Sequence, residues 1–167
     1  AVLLWRILLR LGLRGAWLAG LLFAVHPVMT ESVAWVTERK NVLSGVFYFG
    51  AALAWLRFQS TGRWRLYGIA TLLFIGALLS KTVTASLPAA LLVILWWQHG
   101  RLKWGWTWPL ALWVPFGVWS GLHTAALERN HVHAEGHYWN LSEMERLLVA
   151  GKSSWLYLQK LIAPIDL

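Results

Sequence analysis

Long apolar stretches separated by short charged segments constrain the fold of this 167-residue chain more than any other feature. Hydrophobic residues make up 58% of the chain and charged residues 13%, against roughly 25% charged residues in typical soluble domains. A helix that crosses a bilayer needs about 20 mostly apolar residues, and a soluble domain of this length would not carry so many long apolar segments. The pattern therefore predicts an all-α fold, a polytopic bundle of transmembrane helices.

The apolar stretches predict where these helices begin and end. The expected apolar helices are Ala1 to about Leu9, Gly15 to about Val25, Asn41 to about Phe58, Leu66 to about Leu79, Thr82 to about Trp97, and Trp104 to about Leu122. Pro27 marks a helix end because proline disfavours helical geometry in the preceding residue, and Pro109 and Pro115 are expected to kink the last of these helices. Glu31 to Lys40 is too polar to span and is expected to form a short surface helix.

Charged residues and tryptophans indicate how these helices sit in a membrane. Basic residues that share one predicted side are Arg6, Arg10, Arg14, Arg57, Arg63, Arg65, Arg101 and Lys103. The excess of basic residues assigns that side to the cytoplasm. Five of the 14 tryptophans, Trp96, Trp97, Trp104, Trp106 and Trp108, flank one short basic loop as an interfacial belt would. The net charge of +8 does not indicate a nucleic-acid partner, because the basic residues do not form one polar stripe.

The last segment predicts a different kind of helix. Ser142 and Glu145 have the spacing of a capping box, and apolar residues recur at intervals of three and four from Met144 to Ile162. This pattern favours an amphipathic helix, Ser142 to about Ala163, that lies along the membrane surface. Packing against a soluble domain is the alternative. No cysteine is present, so disulfides are excluded.

A histidine-rich segment precedes that helix. It contains His123, Glu128, His131, His133, Glu135 and His137. Their spacing matches no established zinc pattern, so a polar loop is favoured over a metal cluster.

Ionisable residues are concentrated between the second and third apolar stretches, in the run HPVMTESVAWVTERKNVLS from His26 to Ser44. Such groups beside a spanning helix are costly unless they face protein, water or a charged ligand. We therefore expect this run, together with Lys81 at the apex of Leu79-Ser80-Lys81-Thr82, to bind a charged ligand on the non-cytoplasmic face.

These residues resemble a known family. The family is that of the transmembrane and tetratricopeptide-repeat O-mannosyltransferase-like proteins, and the resemblance is to their membrane half. The most specific match comprises His26-Pro27, Thr30-Glu31, Val33 to Val36 and Glu38 to Ser44. Two weaker matches are Leu79 to Thr82 with Leu87-Pro88, and Glu145 to Pro164. The resemblance implies a glycosyltransferase fold of the GT-C class. It also implies an enzyme that moves a mannose-like sugar from a polyprenyl-phosphate carrier to a protein or other acceptor outside the cytoplasm.

The resemblance also implies that the chain is part of a larger protein. The acidic catalytic pair of the family lies in a first external loop, which would precede Ala1, and its repeat domain would follow Leu167. We therefore expect residues 1–167 to form part of one transmembrane domain, located in a bacterial inner membrane or the endoplasmic reticulum.

Within this chain, the resemblance and the chemistry together nominate five site residues. Arg39, Lys40 and Lys81 would bind the phosphate of the carrier lipid, because cations stabilise a departing phosphate. Glu31 would act as a general base, as the ligand of a divalent metal ion, or as the anchor of Arg39. His26 would hold Glu31 or the phosphate through a hydrogen bond.

Other classes of function remain open at this level. Arg39, Lys40 and Lys81 could instead extend to lipid headgroups, in which case the chain is a non-catalytic membrane anchor or assembly subunit that binds lipids or a partner protein. A transporter is less favoured, because its charged residues are expected at mid-helix and near broken helices.

Overall fold

The computed structural model describes residues 1–131 and 142–163, without the side chains of Glu31, residues 128–131 and Glu143. This described part is helical. Its α-helices are α1 Val2–Arg10, α2 Ala16–Val25, α3 Thr30–Ala34, α4 Arg39–Thr61, α5 Trp64–Ser80, α6 Leu87–His99, α7 Trp104–Ala111, α8 Val114–His131 and α9 Glu143–Ile162. Three 3-10 turns lie between them, at Pro27–Met29, Val36–Glu38 and Thr82–Ser86.

Two stretches of the described chain are long and apolar enough to cross a membrane. They are Val36–Thr61, which includes α4, and Trp104–Leu127, which includes α7 and most of α8. A third is possible if Ala16–Val25 and Pro27–Ala34, which meet at an angle of 55°, form one bent span. The predicted all-α membrane fold is therefore confirmed.

An antiparallel hairpin of α4 and α5 forms the centre of the core. Gly62, with φ of 66°, ends α4 and donates its N–H to the carbonyl of Phe58 at 2.8 Å, a conformation that glycine adopts without strain. Small residues such as Ala51, Ala70 and Ala77 are fully buried along the hairpin. Small side chains allow helices to approach closely, and this approach supplies much of the attraction between helices in lipid.

The two ends of the hairpin differ in chemistry. The first, here called the aromatic end, comprises Phe58, Trp64, Tyr67, Trp106 and Trp108. The rings of Phe58, Trp64 and Tyr67 contact one another with centroids 5.0 to 5.5 Å apart, and Trp64 also contacts Trp108 at 5.7 Å. Arg10 donates a hydrogen bond to Ser60 there. Lys103 lies 4.9 Å from the ring centre of Trp106. Residues of three predicted basic loops thus meet at one end, as the alternating pattern predicted.

Beneath the aromatic end, Trp113 connects α5 to the α7–α8 region. Its ring is fully buried and stacks on Phe74 with centroids 4.6 Å apart. Its Nε1–H donates to Thr71 Oγ1 at 3.0 Å. Tyr67 donates to the carbonyl of Pro109 at 2.9 Å. In an unbroken α-helix the Pro109 carbonyl would accept from the Trp113 N–H. Here the Trp113 N–H donates to the carbonyl of Leu110, so the Pro109 carbonyl is available to Tyr67.

Two of the predicted helices have other boundaries in the structure, and a third is broken where a kink was expected. Glu31 to Lys40 is not one surface helix, because Trp35 is extended and separates α3 from the turn Val36–Glu38. The β-branched residues Val33, Val36 and Thr37 favour such a break, since their side chains lose freedom in a helix.

The helix predicted from Thr82 begins only at Leu87 and ends at His99. Thr84 accounts for part of the difference, because its hydroxyl donates to the carbonyl of Lys81 at 2.7 Å and holds a 3-10 turn. Pro88 then occupies the first turn of α6, where its missing N–H costs nothing.

The helix predicted from Trp104 to Leu122 is divided at Leu112 and Trp113. Pro115 explains the break, because its ring conflicts with the carbonyl four residues earlier, that of Ala111, and ends α7 there. Pro109 lies inside α7. The end of α2 at Val25, followed by extended His26, agrees with the signal from Pro27.

Candidate functional site

Three segments that carry ionisable residues meet at the other end of the α4–α5 hairpin, here called the polar end. They are α3, the first turn of α4 with the preceding Glu38, and the end of α5 with Lys81. The structure brings them together through one network of hydrogen bonds and an ion pair, which consists of Ser32, Glu38, Lys40, Asn41 and Lys81.

Lys81 follows the last residue of α5, in an extended conformation with φ of −161°. Its side chain is exposed, and Nζ donates to Asn41 Oδ1 at 2.6 Å, across 40 residues of sequence. The α5 helix ends here while the chain turns toward the 3-10 segment. Lys81 therefore lies beside the first turn of α4, as the predicted common face requires.

Asn41 links Lys81 to Glu38, the one carboxylate of this network among the described side chains. Its Nδ2 donates to Glu38 Oε2 at 2.6 Å and to Ser32 Oγ at 3.2 Å. Glu38 Oε1 lies 3.8 Å from Lys40 Nζ. This ion pair is weak by itself, because the Lys40 side chain is more than half exposed and solvent screens the attraction.

Arg39 begins α4 and its side chain is exposed. Among the residues whose side chains are described, no hydrogen bond or ion pair holds its guanidinium. The guanidinium is therefore accessible to a ligand, and its predicted bidentate contact with a phosphate stays a prediction.

Both ring nitrogens of His26 make contacts within the protein. Nδ1 accepts from the backbone N–H of Val28 at 3.2 Å, and Nε2 lies 3.0 Å from the carbonyl of Leu161 in α9. Because Nδ1 is an acceptor here, the ring proton belongs on Nε2, which donates to Leu161. His26 thus connects the end of α2 to α9, and any role in holding a ligand would require it to give up one of these bonds.

Glu31 lies in α3, next to the network residue Ser32. The Glu31 side chain is not among those that the structure describes, so its proposed roles as general base, metal ligand or anchor of Arg39 stay predictions. The prediction of a site on this run did include Glu38 and Asn41, but it assigned them no role. Their spacing of three residues, one helical turn apart, was a signal for the contact between them.

A cleft of about 430 Å³ opens beside the network, between the end of α5 and the middle of α8. Lys40 and Lys81 contribute its cationic side. Trp119 and His123 contribute the α8 side, where the indole and the imidazole stack with centroids 5.5 Å apart. The sequence placed His123 in a polar loop, whereas the structure places it within α8.

Metal ligation receives no support from the described side chains, in which no group of three His, Asp or Glu residues converges. The histidine-rich prediction concerns mainly side chains outside the description, namely those of Glu128, His131, His133, Glu135 and His137. It stays untested, as does the divalent ion considered for Glu31.

The last segment forms the predicted helix, α9, with Ser142 as its cap, while its position along the membrane surface stays a prediction. The Ser142 hydroxyl accepts from the Glu145 N–H at 3.3 Å, and Glu145 Oε2 accepts from the Ser142 N–H at 2.8 Å. The Glu145 carboxylate thus accepts from the Ser142 backbone N–H, and it also accepts from the Ser142 hydroxyl at 2.8 Å; these two hydrogen bonds, the backbone one first, lower the pKa of Glu145. Large apolar side chains of α9 are exposed, among them Met144, Leu147, Leu148, Trp155, Leu158 and Ile162.

Comparison with known proteins adds independent information. The family described as dolichyl-phosphate-mannose-protein mannosyltransferase matches residues 1–119. The mouse (Mus musculus) protein O-mannosyl-transferase TMTC3 is 46% identical over 44 residues, which are 26% of this chain and 5% of that protein. The Xenopus laevis protein O-mannosyl-transferase tmtc2 is 43% identical over 49 residues, 28% of this chain and 6% of that protein. No solved structure matches.

Proposed function

Since the chain belongs to the dolichyl-phosphate-mannose-protein mannosyltransferase family, we propose that it is part of the transmembrane domain of a GT-C glycosyltransferase. The complete protein would be a multi-pass enzyme of the endoplasmic reticulum or a bacterial inner membrane, with a tetratricopeptide-repeat domain after the membrane part. It would transfer mannose from a polyprenyl-phosphate carrier to a protein acceptor. The polar end of the hairpin would then face the non-cytoplasmic side.

One observation carries this proposal: exposed cations from two separate segments border one cleft at a helix end. Lys40 and Lys81 line the cleft, and Arg39 is adjacent to Lys40. In the transfer, the bond between the sugar and the carrier phosphate breaks while the acceptor oxygen bonds to the sugar. The carrier leaves as a phosphate anion, so cations placed beforehand stabilise the charge that develops.

The other parts of the reaction need a base and a donor site. The acceptor hydroxyl must lose its proton. We propose the carboxylate of Glu31 as the general base that takes this proton, or as the ligand of a divalent ion. The cleft would hold the phosphate on its cationic side, next to the aromatic pair of Trp119 and His123. Membrane lipids would surround the helices, and the apolar carrier chain would remain among them.

Alanine substitutions of the cations test the proposal in the complete protein. We expect Arg39→Ala and Lys81→Ala each to lower the rate of mannosyl transfer by roughly 30- to 1000-fold, which corresponds to about 2 to 4 kcal/mol of lost transition-state stabilisation. Arg39→Lys should recover only part of the rate, because a planar fork is replaced by a point charge. The thermal midpoint in detergent should not change, since both side chains are exposed.

Matched controls are available at the aromatic end. Arg101→Ala and Lys103→Ala remove the same charges far from the cleft and should leave the transfer rate within about twofold of wild type. If Arg39→Ala and Lys81→Ala also transfer mannose at the wild-type rate, these cations have no part in catalysis.

That outcome would favour the second function, a membrane anchor that binds lipid headgroups. The exposed Arg39 side chain and the exposed apolar residues of α9 fit this alternative. Binding to vesicles would separate the two readings. If the chain is an anchor, Arg39→Ala should weaken binding to vesicles rich in anionic lipid. If it is part of the enzyme, Arg39→Ala should lower the rate of mannosyl transfer.

A further inference from the structure

We propose that the α8 side of the cleft at the polar end binds the sugar ring of the donor, with the Trp119 indole as the surface on which the ring stacks. This inference rests on the proposed function, because it concerns the sugar of the donor whose phosphate Lys40 and Lys81 would bind. It comes from a nearly buried hydroxyl without a partner, an exposed and oriented indole, and the chemistry of the cleft that they share.

Ser120 has a hydroxyl that the described part of the chain leaves without a hydrogen bond. The residue is only 9% exposed and lines the cleft, and no atom among the described residues forms a hydrogen bond with its Oγ. Buried polar groups in proteins are nearly always hydrogen-bonded, so a buried hydroxyl without a partner at the wall of a cleft calls for an explanation. A ligand that carries hydroxyl groups of its own would complete it.

The small residue Gly117 brings this part of α8 close to the 3-10 turn that follows α5. A Cβ atom on Gly117 would lie 3.2 Å from the Cβ of Ala85 in that turn, so glycine allows a closer approach than a larger residue would. Ser120 and Thr124 follow Gly117 at intervals of three and four, on the same face of the helix. Both line the cleft, as does Thr82 from the turn. Hydroxyl-bearing residues therefore border the cleft from two elements.

Trp119 offers a flat apolar surface beside these hydroxyls. Its indole stacks on the imidazole of His123, one helical turn later, with centroids 5.5 Å apart, and it remains 64% exposed. The imidazole can cover only one face of the indole, so the stack orients the ring and leaves its other face accessible. The π-face of an indole carries negative charge density, which attracts the slightly positive C–H groups on the flat side of a hexose ring.

The cleft as a whole has the chemistry that the head of a mannosyl phosphate requires. Its volume of about 430 Å³ is within the usual range of small-molecule sites. The ammonium groups of Lys40 and Lys81 belong to one side, whereas Trp119 and Ser120 belong to the α8 side. In the donor, the sugar is bonded directly to the phosphate. A phosphate held on the cationic side therefore leaves its sugar beside α8.

Equilibrium binding to the complete protein in detergent tests the inference with two probes, polyprenyl-phosphate mannose and polyprenyl phosphate without sugar. We expect Trp119→Ala to weaken binding of the mannosyl donor roughly tenfold and to leave the affinity for the sugar-free carrier within about twofold of wild type. Ser120→Ala loses one hydrogen bond, so it should weaken binding of the mannosyl donor about twofold to tenfold. Each variant is compared with wild type for the same probe, so the different charges of the two phosphates do not enter.

Trp17→Ala is the matched control, because Trp17 in α2 is 63% exposed and does not line the cleft. It should change neither affinity. Trp119→Phe keeps an aromatic face and should restore most of the affinity for the mannosyl donor. If Trp119 only anchors α8 at the membrane boundary, Trp119→Ala weakens binding of both probes equally or of neither, and either result overturns the inference. A raised KM for the acceptor with unchanged donor binding would place the acceptor on this ring and would also overturn it.

Lys81→Ala separates a failure of the inference from a failure of the proposed function. If both are right, Lys81→Ala weakens binding of both probes, whereas Trp119→Ala weakens binding of the mannosyl donor alone. If Lys81→Ala weakens binding of both probes and Trp119→Ala of neither, the phosphate site stands and the sugar site is wrong. If wild-type protein binds neither probe, the proposed function is wrong and the inference fails with it.

Discussion

The aromatic end and the polar end of the α4–α5 hairpin use their side chains differently. At the aromatic end, rings contact rings, and polar groups such as Tyr67 and Gln59 donate to backbone carbonyls of α7. At the polar end, hydrogen bonds join side chain to side chain, and the cations Arg39, Lys40 and Lys81 remain exposed.

This difference separates stability from ligand binding. Ring contacts, such as those of the buried Phe58 and Trp113, hold helices in one arrangement and leave these two rings unavailable to a ligand. Exposed cations stabilise the fold little, because water screens them, and they are available to bind an anion. We therefore expect substitutions at the aromatic end to change stability, and those at the polar end to change donor binding.

The largest effect on stability is expected for Trp113→Ala. The variant removes a fully buried ring that stacks on Phe74 and leaves Thr71 Oγ1 without its donor. It should lower the free energy of unfolding by roughly 3 to 5 kcal/mol. Thermal denaturation in detergent measures this, with Trp17→Ala, which removes an exposed ring of α2, as the control. A reduced donor affinity in folded Trp113→Ala protein would show that the two ends are coupled.

A smaller effect is expected at the contact between α1 and α2. A Cβ atom on Gly20 would lie 2.9 Å from the Cβ of Trp5, which is closer than two such carbons can approach. Gly20→Ala should therefore force the helices apart and cost about 1 to 3 kcal/mol. Gly45→Ala in α4 is the control, because open space surrounds its position. Equal thermal midpoints for the two variants would show that the α1–α2 contact contributes little.

The smallest effect concerns the start of α9. Ser142→Ala should cost about 1 kcal/mol of helix stability, because it removes the cap. The lowered pKa of Glu145 also predicts a pH dependence. The charged carboxylate stabilises the cap at pH values above the ordinary pKa of glutamate, and this contribution is lost as the pH falls through the lowered pKa.

Protection of the Glu145 amide from hydrogen exchange measures both effects. Ser154→Ala, which removes a hydroxyl bonded to Ala150 O inside α9, should leave this protection and its pH dependence unchanged. Protection that does not depend on pH in wild-type protein would contradict a role for the Glu145 carboxylate.

Local signals in the sequence predicted several elements well. Pro27 ended α2, Ser142 and Glu145 capped α9, and the apolar stretches located α4 and α5 to within a few residues. Each of these features depends on residues within one or two helical turns. The interruption at Trp35 was not predicted, because the polar character of a stretch does not report its backbone conformation. The break near Leu112 agrees with the kink expected from Pro115.

The sequence by itself determined that the chain is helical and apolar enough for a membrane, and which loops share an end of the bundle. Hydrophobicity and charge act on every residue separately, so they can be read along the chain. Only the tertiary structure decided that Asn41 stands between Glu38 and Lys81, and that Trp119 and His123 border the same cleft. Such contacts join residues about 40 positions apart, and they depend on how helices pack and where each one ends.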